Sequence, residues 1–447
     1  MKKLVISIIL IVIVAIAFFV VRPRIAENYF NKGMVYVDSL KYEKAIEYFD
    51  KAIKIKSKYS KAYIRRGESK YNIDNYSDAL KDFKEALELN SMLYDAYLGI
   101  GVSEIKLQKY SEAVDDLSKA IAEANDNSVT YFFRASAKMK LKKYDEAIID
   151  FSKAISLDSL YAEAYHNRGI AKANIGNLEE SIKDYNKAIE LDKSNIDAYK
   201  RRVKYKSDMD DYEGAIDDYT AIIKLDKDNQ DAYYQRGYFK LQLRDFNGAI
   251  EDFDKSLELN PKHKLSFLKR GNANAGLGKY EVAIKDFTKA LSFDNKDAKV
   301  YFVRGLTNLS LSKNNKAISD FNYAIKYNSK YADAYYLRGV AKSKNQEYKK
   351  SLSDFAKAID IDKNYSDAYL GRAISLGMLE RHNEALSDYD IYLNNVKVNG
   401  SAYMNRGVSR ININNYQGGC EDFYKALDLG IENAQDMINM YCSKYKK

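Results

Sequence analysis

The chain has 447 residues, of which 30% are charged and 46% are apolar, a composition typical of a folded protein rather than a disordered one. Its two prolines, Pro23 and Pro261, are so few that they predict helix through almost the whole length. The formal net charge is +9, but lysines and arginines alternate with acidic residues throughout. Such mixing is typical of a solvated helical surface, so we expect no nucleic-acid partner.

The N-terminal segment differs from everything that follows it. An uncharged apolar run occupies residues 4–21, and Arg22 follows it directly. As a helix this run would be roughly 27 Å long, close to the thickness of a bilayer core. We therefore predict a membrane anchor, with residues 1–25 forming a cytoplasmic stub, a transmembrane signal-anchor helix and a short linker.

A cleavable signal peptide is the alternative interpretation of this run. Ala15-Ile16-Ala17 resembles a cleavage site, although bulky Phe18 and Phe19 follow it directly. The positive charges on the two sides of the run nearly balance, so they do not fix the orientation of the anchor. We prefer a retained anchor with the rest of the chain on the extracytoplasmic, periplasmic side.

The rest of the chain repeats with a period of 34 residues from Ala26 to Asn433, without an insertion or deletion. Position 4 of each unit is aromatic, position 8 is usually glycine, position 20 is small, and position 24 is aromatic except at Leu117. Small residues at positions 8 and 20 let two antiparallel helices approach closely, and the aromatics fill the wider ends of that seam. One hairpin cannot bury its own apolar face, so neighbours must stack. The twelve units are 26–59, 60–93, 94–127, 128–161, 162–195, 196–229, 230–263, 264–297, 298–331, 332–365, 366–399 and 400–433.

This pattern resembles the tetratricopeptide repeat (TPR) family over residues 26–433. The resemblance implies an all-α, right-handed α-solenoid of twelve helix-turn-helix units, with a concave groove lined by the first helix of each hairpin. Two departures stand out, since the family's proline at position 32 occurs here only as Pro261, and position 7 is arginine rather than leucine in ten units. We predict that residues 434–447 form a C-terminal capping helix, because the end of an array needs a polar outer face.

The arginines at position 7 are matched by aspartates at position 23 in eleven units. An arginine near the hairpin seam is costly unless it is paired, and a carboxylate is its usual bidentate partner. A ladder that binds polyanions is the functional alternative. We prefer structural pairing, because both series recur with the period of the fold.

The resemblance implies that positions 2, 5, 9 and 12 face the groove. The aliphatic and aromatic side chains at positions 5 and 9 suit a polypeptide with apolar anchors, or else they pack between neighbouring first helices. Lys200, Arg201, Arg202 and Lys204 form a basic patch that could receive an acidic segment. No unit joins lysine at position 5 to asparagine at position 9, which excludes the family's carboxylate clamp. The candidate partner-binding residues are Phe132, His166, Lys200, Arg201, Lys204, Tyr234, Tyr238, Leu268, Phe302 and Tyr336.

Catalytic chemistry finds little support in the sequence. The three histidines, His166, His263 and His382, lie in different units without a partner at triad or metal-ligand spacing. The glycines recur at position 8 or in turns and form no phosphate-binding loop. We therefore expect no enzyme activity, no metal and no cofactor.

The two cysteines, Cys420 and Cys442, lie at equal distances in sequence from a turn expected near Ile431. Antiparallel helices that leave one turn rise equally per residue, so the two thiols should lie level. A disulfide there fits an exported protein, whereas two reduced cysteines would fit the cytoplasm.

Together these features predict a membrane-anchored, non-catalytic scaffold that binds protein or peptide partners in its groove. The alternative is an envelope carrier or sensor that binds a polysaccharide or another small ligand there. The aliphatic groove lining favours polypeptide over sugar. The sequence does not identify the partner.

Overall fold

The computed structural model describes residues 6–11, 13, 20–90, 92–124 and 126–444. Within these residues every helix from Arg22 onward belongs to a hairpin or to the C-terminal cap. The described residues form no β-strand. The chain divides into two compact units, which meet in sequence between Leu225 and Asp226. Each unit is a stack of helical hairpins around its own core.

The N-terminal unit contains six hairpins, each made of a first and a second helix. Apart from α1, which begins at Arg22, each hairpin lies within one 34-residue repeat. Its helices are α1 (Arg22–Asp38), α2 (Tyr42–Ile55), α3 (Ser60–Asn72), α4 (Tyr76–Leu89), α5 (Tyr94–Lys106), α6 (Tyr110–Glu123), α7 (Ser128–Lys140), α8 (Tyr144–Leu157), α9 (Ala162–Asn174), α10 (Leu178–Leu191), α11 (Ile196–Asp208) and α12 (Tyr212–Leu225).

The C-terminal unit contains six more hairpins and a short final helix. Its helices are α13 (Gln230–Gln242), α14 (Phe246–Leu259), α15 (Lys264–Gly276), α16 (Tyr280–Phe293), α17 (Ala298–Ser310), α18 (Asn314–Tyr327), α19 (Ala332–Lys344), α20 (Tyr348–Ile361), α21 (Ser366–Met378), α22 (His382–Asn395), α23 (Gly400–Asn412), α24 (Tyr416–Asp428) and α25 (Ala434–Tyr441). We number the hairpins 1 to 12 along the chain.

The seam of most hairpins is closed by an aromatic ring that lies against a glycine. A Cβ atom at Gly339 would lie 2.8 Å from the ring of Phe355, so position 8 must stay small to admit the ring at position 24. Position 20 also reaches position 8, because the hydroxyl of Ser181 donates to the carbonyl oxygen of Gly169 at 2.8 Å. The small residues therefore make room for the ring as well as for the facing helix.

Each first helix is followed by a residue with left-handed backbone geometry at position 15 of the repeat. Asp74 is an example, with φ of +62°, and the amide of Asn75 then donates to the carbonyl oxygen of Lys70 at 2.9 Å. This bond satisfies a carbonyl at the helix end. Glycine is the residue that adopts this geometry most easily, yet it occupies position 15 only at Gly176 and Gly278. The residue type at position 15 varies between units, so the sequence alone does not predict this geometry.

Half of the predicted anchor over residues 4–21 lies outside the described part of the chain. Residues 1–5, 12 and 14–19 are not described. Among the residues that are described, no helix combines the length and the apolar character that crossing a membrane requires. The first hairpin begins directly after the run, with α1.

The C-terminal cap is held by covalent and apolar contacts. Cys420 on α24 and Cys442 just after α25 form a disulfide, with their Cα atoms 5.6 Å apart, and both are buried. Gly430 makes the turn between the two helices with φ of +84°. Ile438 of α25 is buried in the same cluster as the disulfide and Ile411. Helix α25 ends at Tyr441, which is earlier than the predicted end of the capping segment, and residues 445–447 are not described.

We predict that this disulfide stabilises the end of the stack. Alkylation of the denatured, non-reduced protein should label no thiol, and reduction should speed amide hydrogen exchange in α25 by far more than in α15. A loop of this length contributes about 3 kcal/mol in the chain-entropy model. The variant Cys420→Ser, Cys442→Ser is the control, since reduction should leave its exchange unchanged. Two labelled cysteines in the native protein would refute the bond.

Candidate partner-binding surface

A charged clamp joins the two helices of most hairpins. In hairpin 10, Arg338 donates from Nε and Nη2 to the two carboxylate oxygens of Asp354, at 3.0 and 2.6 Å. Asp354 is only 2% exposed, so this bidentate contact supplies the partner that a buried carboxylate requires. The same contact joins Arg66 to Asp82, Arg134 to Asp150, Arg168 to Asp184, Arg202 to Asp218, Arg236 to Asp252, Arg270 to Asp286, Arg304 to Asp320, Arg372 to Asp388 and Arg406 to Asp422.

The clamp also reaches the preceding hairpin. Nη1 of Arg338 donates to Oδ1 of Asn322, on the second helix of hairpin 9, at 2.7 Å. Equivalent bonds run from Arg134 to Ser118 and from Arg270 to Asp254, each within one of the compact units. One guanidinium therefore ties two helices of its own hairpin to the hairpin before it.

Two further groups complete the clamp. The guanidinium of Arg338 lies over the ring of Tyr335 at position 4, with its central carbon 5.3 Å from the ring centroid. Lys342 at position 11 adds a second cation to Asp354, with Nζ 2.8 Å from Oδ2. Lysine recurs at position 11 in six units, a signal in the sequence from which this second cation could have been predicted. The donors of these arginines are used within the fold, which favours the structural interpretation over a polyanion ladder.

Hairpin 3 lacks this clamp. Ile100 replaces the arginine, Glu104 replaces the lysine, and Lys84 stands at the place of the acceptor on the preceding hairpin. Glu104 is 3% exposed, and its Oε2 has no hydrogen-bond partner among the described residues. Burial and, to a smaller extent, the nearby Asp116 raise the pKa of Glu104 to about 7, although Lys84 opposes the shift.

The candidate residues at position 5 are more deeply buried than residues that line an open groove would be. Phe132 is half-buried, and its ring centroid lies 4.9 Å from that of Tyr161. Phe302 packs in the same way on Tyr331 at 4.7 Å, and it also contacts Phe321. These rings fill the space between the seam and the last residue of their own repeat.

Two other aromatics at position 5 make the same contact. The centroid of Tyr234 lies 4.9 Å from that of His263, and Tyr336 lies 5.1 Å from Tyr365. Leu268 is partly buried against the apolar core of the hairpins that follow it. The rings are half-buried and therefore only partly accessible to a partner.

His166 is buried and interacts with another residue of the proposed groove face. Its Nε2 lies 3.1 Å from Oδ2 of Asp197 on the next first helix. Burial lowers the pKa of His166, and Asp197 partly opposes this shift. This histidine therefore links two neighbouring hairpins.

The polar candidates of hairpin 6 are accessible. Lys200, Arg201 and Lys204 are exposed on α11, and Nε of Arg201 lies 3.4 Å from Oδ2 of Asp197. In hairpin 7, Tyr238 is half-buried, and Nζ of Lys269 lies 5.1 Å from its ring centroid. The residues of hairpin 6 and Tyr238 lie in two different compact units.

Comparisons with known families agree with this geometry. Tetratricopeptide repeat models match residues 26–59, 162–195 and 231–263, residues 64–128, and residues 266–297 and 332–365. A further TPR repeat model matches residues 135–176. Together the matches cover more than half of the chain. The chain belongs to the tetratricopeptide repeat family.

Among solved structures, three TPR-like chains illustrate the similarity. MamA from Desulfovibrio magneticus RS-1 is 19% identical, with 38% of this chain and 96% of that chain covered and a TM-score of 0.36. A tetratricopeptide repeat protein from Parabacteroides merdae is 23% identical, with 56% and 98% covered and a TM-score of 0.39. PilF of Pseudomonas aeruginosa is 18% identical, with 47% and 97% covered and a TM-score of 0.42. No curated protein matches the chain.

A metal centre requires several histidine, cysteine or acidic side chains close together. Within the described residues, no group of three or more histidine, cysteine, aspartate or glutamate side chains could hold a metal ion.

We predict that the Glu104 site makes the N-terminal unit less stable as the pH rises. The pKa of Glu104 is raised from its ordinary 4.5 to about 7, so its stabilising neutral form is complete below pH 4.5 and is lost as the pH passes through 7. The loss is on the order of 3 kcal/mol and is absent from Glu104→Gln.

Amide hydrogen exchange in α5 and α6, at several pH values, measures this loss as a fall in local opening free energy. Glu123→Gln is the matched control, because Glu123 is an exposed carboxylate on the same hairpin and does not contribute to the pKa shift of Glu104. It should follow the native protein. Native protein and Glu104→Gln that show parallel pH profiles would contradict the assignment.

Proposed function

We propose that this TPR protein is a non-catalytic scaffold that binds polypeptide partners on the first-helix face of its hairpins. The observation that carries the proposal is an apolar stripe at position 9 of hairpins 9 to 12. Leu306 is 42% exposed and Ile374 is 37% exposed, and Val340 and Val408 occupy the same position on the neighbouring first helices. We call Leu306, Val340, Ile374 and Val408 the position-9 stripe.

The repetition of the stripe supports a polypeptide as the ligand. Exposed apolar residues that occur singly are normal on a protein surface, whereas a contiguous row indicates an interaction site. A row that repeats once per hairpin suits the spaced anchors of a helix or an extended segment. Exposed residues at the centre of such a contact supply most of the binding free energy.

We also propose that residues 4–21 anchor the protein in a membrane, with the hairpins on the extracytoplasmic side. The described residues of the run support this, because Ile8, Leu10 and Ile11 expose 52%, 61% and 66% of their surface. A row of exposed isoleucine and leucine is costly in water and favourable in lipid. The disulfide at the C-terminal cap supports export, because such bonds persist mainly in oxidising compartments.

We predict that the anchor is retained in the mature protein. Membranes that contain the protein should keep it through a carbonate wash, and the mature chain should carry its original N-terminus. Replacing Ile9 and Leu10 with lysine should release the protein, because each charge costs roughly 3 kcal/mol near the bilayer centre. A mature chain that begins at Phe18 would refute the anchor and favour the signal peptide.

We predict that the position-9 stripe carries partner binding. Replacing both Leu306 and Ile374 with serine should reduce the amount of partner captured from solubilised membranes by at least about tenfold, since a hot-spot residue contributes roughly 1–3 kcal/mol. Melting should change little, because both side chains are exposed. Mass spectrometry of the captured material measures the loss.

The matched control replaces Val282 and Ile391 with serine. These residues lie on second helices and are 44% and 37% exposed, so they lose similar apolar area on a different face. The control should capture as much partner as the native protein. Equal capture by the stripe variant and the native protein would refute the proposal.

A further inference from the structure

A cleft of about 310 Å³ lies on the first helices of hairpins 2 to 4, within the N-terminal unit. Gly99 opens its floor, because a Cβ atom at this residue would lie 2.5 Å from the ring of Phe83. Leu98, Val102 and Phe133 form apolar walls. We call this feature the Gly99 cleft. Its volume is at the lower end of the range for ligand pockets, which suits one side chain.

The rim of the Gly99 cleft is acidic. Glu68 from α3 and Asp95 from α5 both line it. Nη1 of Arg65 is 2.7 Å from Oε2 of Glu68, whereas Asp95 has no ion pair among the described residues. Burial raises the pKa of Glu68, and Asp95 adds to this shift while Arg65 opposes it. Two carboxylates and one guanidinium leave the rim with a net negative charge.

The C-terminal unit contains a natural counterpart without the second acid. Gly371 occupies the same repeat position as Gly99, and a Cβ atom there would lie 2.7 Å from the ring of Phe355. Asp367 and Leu370 correspond to Asp95 and Leu98, but Val340 stands where Glu68 does. The two places therefore share an apolar floor and one carboxylate, and they differ in charge.

We propose that the Gly99 cleft binds a lysine or arginine side chain of the partner polypeptide. The aliphatic stem would lie on Phe83 and the apolar walls, and the cationic end would reach the acidic rim. Long basic side chains combine these two properties, and aromatic rings beside a carboxylate favour a cation further. This proposal rests on the proposed function and adds the chemistry of one anchor residue.

A purely apolar or an acidic anchor fits the cleft less well. An apolar side chain would remove water from Glu68 and Asp95 without replacing their hydrogen bonds, which is unfavourable. An acidic side chain would meet two carboxylates of its own sign. The charge of the rim thus selects a basic residue.

The test uses N-acetyl-lysine-N-methylamide and its neutral analogue N-acetyl-norleucine-N-methylamide as probes of the methyl-labelled full chain. The lysine probe should shift the methyl resonances of Leu98 and Val102, with an affinity at least about fivefold higher than that of norleucine. Added salt should weaken the lysine probe alone. Leu370 and Ile374, beside Gly371, form the internal control and should show no preference for lysine.

Two variants and one matched control, Asp367→Asn, make the result specific. Glu68→Val gives the Gly99 cleft the composition of its counterpart and should abolish the preference for lysine, as should Asp95→Asn, whose carboxylate is exposed. Asp367→Asn, at the same repeat position in hairpin 11, should change nothing at Leu98.

Three results would each overturn the proposal: equal binding of the two probes at Leu98, equal shifts from the lysine probe at the Gly99 cleft and beside Gly371, or no shift from the lysine probe. The proposed function is tested separately, because partner capture depends on residues of the C-terminal unit. If the preference for lysine is absent but partner capture is normal, the proposal for the Gly99 cleft is refuted and the proposed function is not.

Discussion

The contact on which ten of the twelve hairpins depend is a buried aspartate held by an arginine from the facing helix. Asp354 is almost inaccessible to water, so it would be costly in the fold without the guanidinium of Arg338. Such a pair adds little net stability compared with two apolar residues. Its bidentate contact is directional, however, because the guanidinium and the carboxylate must face each other in one orientation. It fixes the rotation of the first helix against the second, and through Asn322 it fixes the hairpin before it.

This constraint separates structural positions from positions that can vary. Because positions 4, 7, 11 and 23 are occupied with the clamp, the remaining outward positions of the first helix are free to differ between hairpins. Leu306 and Ile374 use that freedom for an apolar row, whereas Lys200 and Lys204 use it for charge. Where the clamp itself is missing, Glu104 remains as a buried carboxyl with a raised pKa.

The period of the sequence predicts the hairpins and the arginine–aspartate pairing, because both are set by contacts that recur every 34 residues. The accessibility of position 5 was harder to predict. Phe302 and Tyr336 were assigned to the groove, yet their rings also pack on Tyr331 and Tyr365, the last residues of their repeats. Repeat position gives a face of the helix and not the depth at which a side chain lies.

The Gly99 cleft could not be predicted from the sequence either, because the space exists only where glycine has no side chain. Glycine at position 6 occurs in two hairpins and gives no signal until the ring of Phe83 is placed beneath it. The acidic rim likewise joins residues of two helices. Contacts between neighbouring hairpins, rather than within one repeat, are what the sequence pattern leaves open.

The clamp is tested most directly by a double-mutant cycle on Arg372 and Asp388. This pair is the simplest, since Leu376 replaces the lysine at position 11 and Ala356 replaces the acceptor on the preceding hairpin. Amide hydrogen exchange in α21 and α22 of Arg372→Met, Asp388→Leu and the double variant gives the coupling free energy. We expect each single change to cost roughly 3–5 kcal/mol and the double change far less. Effects that simply add would show that the pair does not hold the hairpin together.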